Sequence, residues 1–178
     1  MLLGMINTYY LTNKNEGKNM QMFKILDESC TPTKGTAYSA GIDLFARESA
    51  YIGIGETAKI PLGVKIEDID GFINMLRRKK LLENNNMTPA ETIHDFKIKH
   101  HLELEPRSSL RAKGFTSDTG IDEIQIILHN ISANNSTNAF RIEKGDKIAQ
   151  IILKKNDTYL MGYESAEERT GGFGSTGA

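Results

Sequence analysis

GIDLFARESAYIGIGETAKIPLGV, residues 41–64, is the stretch that decides the fold class. Three runs of strand-forming residues, Gly41–Phe45, Ala50–Ile54 and Ala58–Val64, are set apart by turn formers, with Gly53 and Gly55 as breaks. Runs this short cannot make stable helices, and their Ile, Leu, Phe and Tyr content suits strands. A fourth run, Phe23–Leu26, precedes them across Pro32 and Lys34-Gly35. Short strands at this spacing suggest an all-β barrel or sandwich. Residues 102–105, 121–131, 138–142 and 148–153 continue the series. Within 121–131, Ile124, Ile126 and Leu128 alternate with Gln125, Ile127 and His129, as in a strand with one face more polar. Ala149–Leu153 is apolar except for Gln150, as in a largely buried strand.

Residues 67–99 break this rhythm. Ile69, Phe72, Ile73 and Leu76 fall at helical spacing and are expected to face inward, with Arg77–Lys80 following on the polar side. Asn84-Asn85-Asn86 is expected to stop that helix. Thr88-Pro89-Ala90-Glu91 carries an N-cap, a proline at the first helical position and the acid of a capping box, so a second helix is expected to about Lys97.

The 178-residue length suits one domain with a proper core, and the formal net charge of −1 gives no reason to expect a nucleic-acid surface. Arg77-Arg78-Lys79-Lys80 is the only basic run and reads as a solvated helix face. The single cysteine, Cys30, cannot form an internal disulfide, reads as a small, partly buried residue and fits a reducing compartment, so a cytoplasmic location is expected. No apolar window of some eighteen residues exists, so no membrane span is expected. Residues 1–21 read as a polar extension.

Chemistry concentrates in a few segments. The last ten residues, Arg169-Thr-Gly-Gly-Phe173-Gly-Ser-Thr-Gly-Ala178, have no apolar stripe to pack. Their glycines allow close backbone approach, Ser175, Thr176 and Arg169 suit phosphate, and Phe173 offers a face to a planar ring. A frayed tail is the alternative. Pro106-Arg107-Ser108-Ser109 sets an arginine fork beside two hydroxyls, or is simply a serine turn with a surface arginine. Gln150 projects from a buried run and needs a hydrogen-bond partner. Asp43 is a carboxylate in an apolar strand, which needs an arginine or a polar network, or else faces solvent at a strand edge. The glycine-rich loop of nucleotide-binding P-loop proteins is absent, so any phosphates must be held by other turns. His94, His100 and His101 have no carboxylate or cysteine companions at metal spacing and read as surface residues.

Together, Ser39–Ala46 (SAGIDLFA), Pro106–Leu110 (PRSSL), Ile142–Leu153 (IEKGDKIAQIIL) and the GGFGSTG tail resemble, in order, motifs one, two, four and five of the trimeric deoxyuridine triphosphatase family. The resemblance covers about residues 22–178. It implies a jelly-roll-like β-barrel that hydrolyses dUTP to dUMP and pyrophosphate as a homotrimer, with Mg²⁺ held mainly by the substrate phosphates and water. It implies a catalytic domain over 22–160, interrupted by a helical insertion at 67–99 where the family has a strand–turn–strand, and a flexible arm over 161–178 that closes the site.

The implied catalytic residues are Asp122, which holds and activates the water, and Asp43, in the network near the metal. Arg107, Ser108, Ser109, Gly120, Gln150, Arg169, Phe173, Gly174, Ser175 and Thr176 are implied to bind substrate, with Phe173 stacked over the uracil. Asp146 stands where the family has an organising carboxylate or serves as a turn residue. The third motif departs from the pattern. Thr119-Gly120-Ile121-Asp122 places the catalytic aspartate at Asp122, whereas anchoring on Glu123 and Asn130 places it near Asp118. The aromatic that packs under the deoxyribose is missing and the stretch is several residues short, which leaves base and sugar selectivity open. Only Thr170 separates Arg169 from Gly171, where the family has two residues. Two rivals remain. A dCTP deaminase or bifunctional relative would need Glu123 as base, and an interaction protein with weak catalysis would use residues 67–99 to bind a protein partner.

Overall fold

The computed structural model describes residues 22–82, 86–111, 115–116, 122–132 and 139–162. Nine strands are described: β1 (Phe23–Ile25), β2 (Ile42–Phe45), β3 (Ala50–Ile52), β4 (Thr57–Ile66), β5 (His100–Pro106), β6 (Phe115–Thr116), β7 (Glu123–Asn130), β8 (Phe140–Ile142) and β9 (Lys147–Lys155). They form a four-stranded sheet in the order β1-β4-β7-β6, a three-stranded sheet β2-β9-β5 and a pair β3-β8. Every described pairing between strands is antiparallel. The all-β class expected from the sequence is therefore observed.

One core serves all three sheets. Ile60, Leu62 and Val64 of β4, Ile126 and Leu128 of β7, Leu44 of β2, Ile52 of β3 and Ile142 of β8 are fully buried in it. The alternation read in β7 is realised, with Ile124, Ile126 and Leu128 inward and Gln125, Ile127 and His129 half-buried on the other face. Asn130 continues the inward series as a satisfied amide: its Nδ2 donates to Ile52 O at 3.1 Å and its Oδ1 accepts from Ser132 N at 3.1 Å. Cys30 is completely buried, beyond the partial burial expected, and that burial pushes its thiol pKa up.

Helices α1 (Ile69–Arg78) and α2 (Pro89–Lys99) occupy the predicted interruption. Asp68 caps α1 by accepting from Gly71 N at 2.8 Å, and Thr88 and Glu91 close the predicted capping box of α2. Phe72, Ile73, Leu76 and Phe96 are buried in the common core, while Ile69 is only half-buried at its edge. Two expectations are corrected. The first helix ends before the asparagines: Lys80 adopts φ 54°, Lys80 N donates to Arg77 O at 2.9 Å and Leu81 N to Leu76 O at 3.0 Å. This is a Schellman closure with lysine at the left-handed position, and Leu81 packs on the core beyond it. The second helix runs two residues past Lys97 and passes directly into β5.

A short helix α3 (Ser108–Arg111) follows β5. No helix among the described residues is long and apolar enough to cross a membrane.

Candidate active site

Strand β9 lies between β2 and β5, with Gln150 opposite both Asp43 and Glu105. Directly opposed residues share one face of a sheet. The flanking rows, Leu44–Ala149–Pro106 and Ile42–Ile151–Leu104, contribute to the core, so the Asp43–Gln150–Glu105 row faces away from it. Asp43 is nonetheless only 6% exposed, because residues 33–41 fold over it. Thr33 and Asp43 exchange backbone hydrogen bonds of 3.2 and 2.7 Å, and a Cβ at Gly35 would lie 3.4 Å from Asp43 Oδ2. The Asp43 carboxylate accepts from Lys147 Nζ at 3.1 Å, so its burial leaves no bare charge. Lys147 is a site residue that sequence reasoning missed. The signal was the Lys-Gly-Asp-Lys turn ahead of β9, but which carboxylate it meets depends on the β2–β9 register.

Pro106 ends β5, and Arg107 N carries on toward β9 by donating to Ile148 O at 3.0 Å. Leu110 N then donates to Arg107 O at 2.8 Å, closing the turn. Leu110 is 3% exposed and pins this turn to the core, leaving Ser108 and Ser109 at the surface. The Arg107 guanidinium, both serine hydroxyls and the Gln150 amide make no hydrogen bond or ion pair with any described residue. Strand β9 and the turn that follows β5 thus present donors that bond to no described residue and are of the kinds suited to a polyanion. Farther along the same face, Lys154 bridges Glu103 at 2.8 Å and Glu105 at 2.9 Å. Lys154 holds the Glu103 carboxyl below its usual range, and Glu103 in turn raises the lysine.

Asp122 is exposed and immediately precedes β7, in the other sheet. No hydrogen bond or ion pair joins it to a described residue. Within one chain it is therefore not tied to the Arg107–Gln150 donors. Its neighbour Glu123 is differently placed: Arg47 Nη1 donates to both of its carboxylate oxygens, at 3.2 and 3.0 Å, and Gly63 N donates to Oε1 at 2.9 Å. A deaminase base would have to leave all of these partners. Asp146 fastens the turn before β9, its carboxylate accepting from Glu143 N at 2.9 Å. His100 corrects the surface reading, since it is half-buried and stacked on Phe96 with ring centroids 4.2 Å apart. Gly120, Asp118, Arg169, Phe173, Gly174, Ser175 and Thr176 lie outside the described residues. No group of three His, Cys, Asp or Glu gathers as a metal cage among those described.

Residues 80–177, more than half of the chain, match the dUTPase family model. The deoxyuridine 5'-triphosphate nucleotidohydrolase of Clostridium acetobutylicum is 30% identical over 164 residues, spanning 89% of this chain and 97% of that protein. The chain belongs to the dUTPase family. Solved dUTPases share its fold. The Staphylococcus bacteriophage 80alpha dUTPase with dUPNHPP superposes with a TM-score of 0.52 at 21% identity, over 90% of this chain and all of that one. The dUTPase of phage phi11 of S. aureus, whose structure shows a structural Mg(II) ion, gives 0.51 at 19% identity, over 88% of this chain and 100% of that one.

Proposed function

We propose that this chain hydrolyses dUTP to dUMP and pyrophosphate, using the open donors beside Gln150 to hold the triphosphate. The observation that carries the reading is the row itself. In a chain of this family, the side chains of Arg107, Ser108, Ser109 and Gln150 bond to no described residue, and Gln150 lies opposite Asp43, which is paired with Lys147. Donors not bonded to a described residue need break no described internal bond to turn toward phosphate oxygens, and an arginine fork binds two at once. When bound, Mg²⁺ would be held mainly by the substrate phosphates and water and would supply charge neutralisation. Asp43 belongs to the network beside it rather than to its ligands, because its carboxylate already serves Lys147.

Asp122 takes the part of the general base. Its exposed carboxylate orients a water in line with the pyrophosphate leaving group and accepts its proton as the water oxygen bonds to the α-phosphorus and the α–β phosphoanhydride P–O bond breaks. The bond's electron pair leaves with pyrophosphate. Gly120 lines the nucleoside side. Arg169, Gly174, Ser175 and Thr176 add phosphate contacts and Phe173 covers the uracil, as an arm over 161–178 closes on a catalytic domain of 22–160. Because Asp122 and the donor row belong to different sheets with no described bond between them, a homotrimer in which one subunit's Asp122 serves another's donors fits the geometry.

Pyrophosphate release from dUTP, dCTP, dTTP and UTP tests the reading, with dUTP expected to be the preferred substrate. Release of ammonia from dCTP would replace it with the deaminase. The shared site has its own test. Asp122→Asn and Arg107→Ala chains, each impaired alone at dUTP below the parent's KM, should recover part of the activity when mixed and reassembled. Mixtures that stay impaired would confine the site to one chain.

A further inference from the structure

Strand β4 is interrupted where it faces the start of β7. Its register with β7 passes from Pro61 opposite Gln125 to Lys65 opposite Glu123, so residues 62–64 bulge against a single residue. Gly63 sits in this bulge with φ +65°, and a Cβ there would fall 2.6 Å from Cys30 Cβ, so only glycine fits. The bulge frees the Gly63 amide from the ladder, and Glu123 Oε1 accepts it at 2.9 Å. Arg47 closes on the same carboxylate through Nη1, while its own backbone N–H donates to Pro61 O at 2.9 Å. Arg47 Nε lies 4.0 Å from Asp27 Oδ2, and Lys144 Nζ donates to that oxygen at 2.9 Å.

These contacts form a chain, Glu123–Arg47–Asp27–Lys144. It joins the first residue of β7 to the segment leaving β2 and to the turn that leads into β9. Those are the three places from which Asp122, Asp43 and Gln150 are presented. We infer that Arg47 and Glu123 are positioning residues for the hydrolysis, a clamp that fixes where β7 begins and so where Asp122 stands. The inference rests on the reading of Asp122 as the base. It also gives Glu123 a role that needs its charge and both its oxygens without any proton transfer. The Arg47 side chain is 41% exposed and that of Glu123 19%, so losing the arginine costs little global stability, whereas losing the carboxylate also strands the buried Gly63 amide; the effect on turnover is therefore read first in Arg47.

The test uses the full chain. Glu123→Ala and Arg47→Met should lower kcat on dUTP roughly tenfold, as small misplacements of a reacting group do, with KM nearly unchanged in both, Tm nearly unchanged in Arg47→Met, and a modest loss of Tm in Glu123→Ala from the stranded Gly63 amide. Glu123→Gln keeps an acceptor for the Gly63 amide and Arg47→Lys keeps the charge, so each should recover most of the loss. The pH profile of Glu123→Gln should match that of the parent. Unchanged kcat in the Ala and Met variants, or kcat and Tm falling together with no recovery in the conservative ones, would overturn the inference. So would loss of the acidic limb in Glu123→Gln, which would make Glu123 the base. Asp122→Asn, run alongside, separates the two ideas. If it stays active while the clamp variants lose kcat, the assignment of the base fails and the clamp serves another carboxylate. If it loses turnover while the clamp variants do not, only the clamp fails.

Discussion

The α1–α2 hairpin and the Asp43–Gln150–Glu105 row with Arg107 are both polar on the outside, but their polar groups are used in opposite ways. In the hairpin the groups close on the protein itself. Asp68 and Thr88 cap the two helices, Arg77 donates to Met87 O at 3.1 and 2.7 Å, and Lys97 pairs with Asp70 at 2.9 Å. Its apolar side disappears into the core that the strands share. In the row and the turn beside it, the donors of Gln150, Arg107, Ser108 and Ser109 bond to no described residue. Polar groups bonded within the protein contribute to holding the hairpin together, whereas donors that no described residue takes up remain available to a ligand. The difference weighs against the insertion as the seat of function and for the row.

The largest expected effect falls on the hairpin's stability. Phe72 is 3% exposed, and Phe72→Ala should cost about 3–5 kcal/mol, visible as a lower Tm, while turnover well below the transition stays near that of the parent. A variant that melts normally but no longer hydrolyses dUTP would break the comparison and turn the insertion into a lid.

Next come the site residues, where activity should fall without stability. Asp122→Asn is expected to reduce kcat by about 10² with nucleotide binding retained. Should Asp118→Asn be the damaging change and Asp122→Asn silent, the third motif is aligned on Glu123 and Asn130 instead. Arg107→Ala orphans no described partner, so its Tm should hold while KM for dUTP rises by roughly tenfold or more, the scale of one charged hydrogen bond. A drop in Tm for Arg107→Ala would mean the guanidinium is structural.

Much of this was legible in the sequence because the signals are local. Turn glycines divided the strands, alternation fixed the inward face of β7, and Thr88-Pro89-Ala90-Glu91 announced α2. What escaped was long-range or sterically odd. Lys147 meets Asp43, 104 residues away, and Arg47 meets Glu123, 76 residues away, through strand register that no local pattern encodes. The stop of α1 escaped because lysine at a left-handed position is uncommon, and the basic run looked like continuing helix. Within the site, the PRSSL and IAQ segments marked the donors. That Asp43 would be buried yet charge-paired needed the fold of residues 33–41 over it.

Lys80 allows a smaller test on the hairpin side. Its φ of 54° carries the usual penalty of a side chain in the left-handed region, which glycine does not pay. Lys80→Gly should stabilise the chain by roughly 1 kcal/mol, a few degrees in Tm. No change in activity is expected. A destabilised Lys80→Gly would mean that the lysine side chain makes a contact worth more than the strain.

The smallest effect is visible only in acid. Glu91 accepts from both the Thr88 amide and the Thr88 hydroxyl at 2.8 Å, and the backbone hydrogen bond, followed by that of the hydroxyl, holds its carboxyl below the usual glutamate range. A carboxyl depressed by folding adds stability above its unfolded value, about pH 4.3, and loses it as pH falls through the lower folded value. Gln at this position keeps an acceptor but does not titrate. Glu91→Gln should therefore melt close to the parent at pH 7, and its Tm should fall less steeply than the parent's between pH 5 and pH 3. The other depressed carboxyls, Asp27 and Glu103, are common to both proteins and cancel in the difference. Parallel Tm curves across that range would show that the capping box does not hold in solution, and the contrast between a closed hairpin and an open donor row would lose one of its supports.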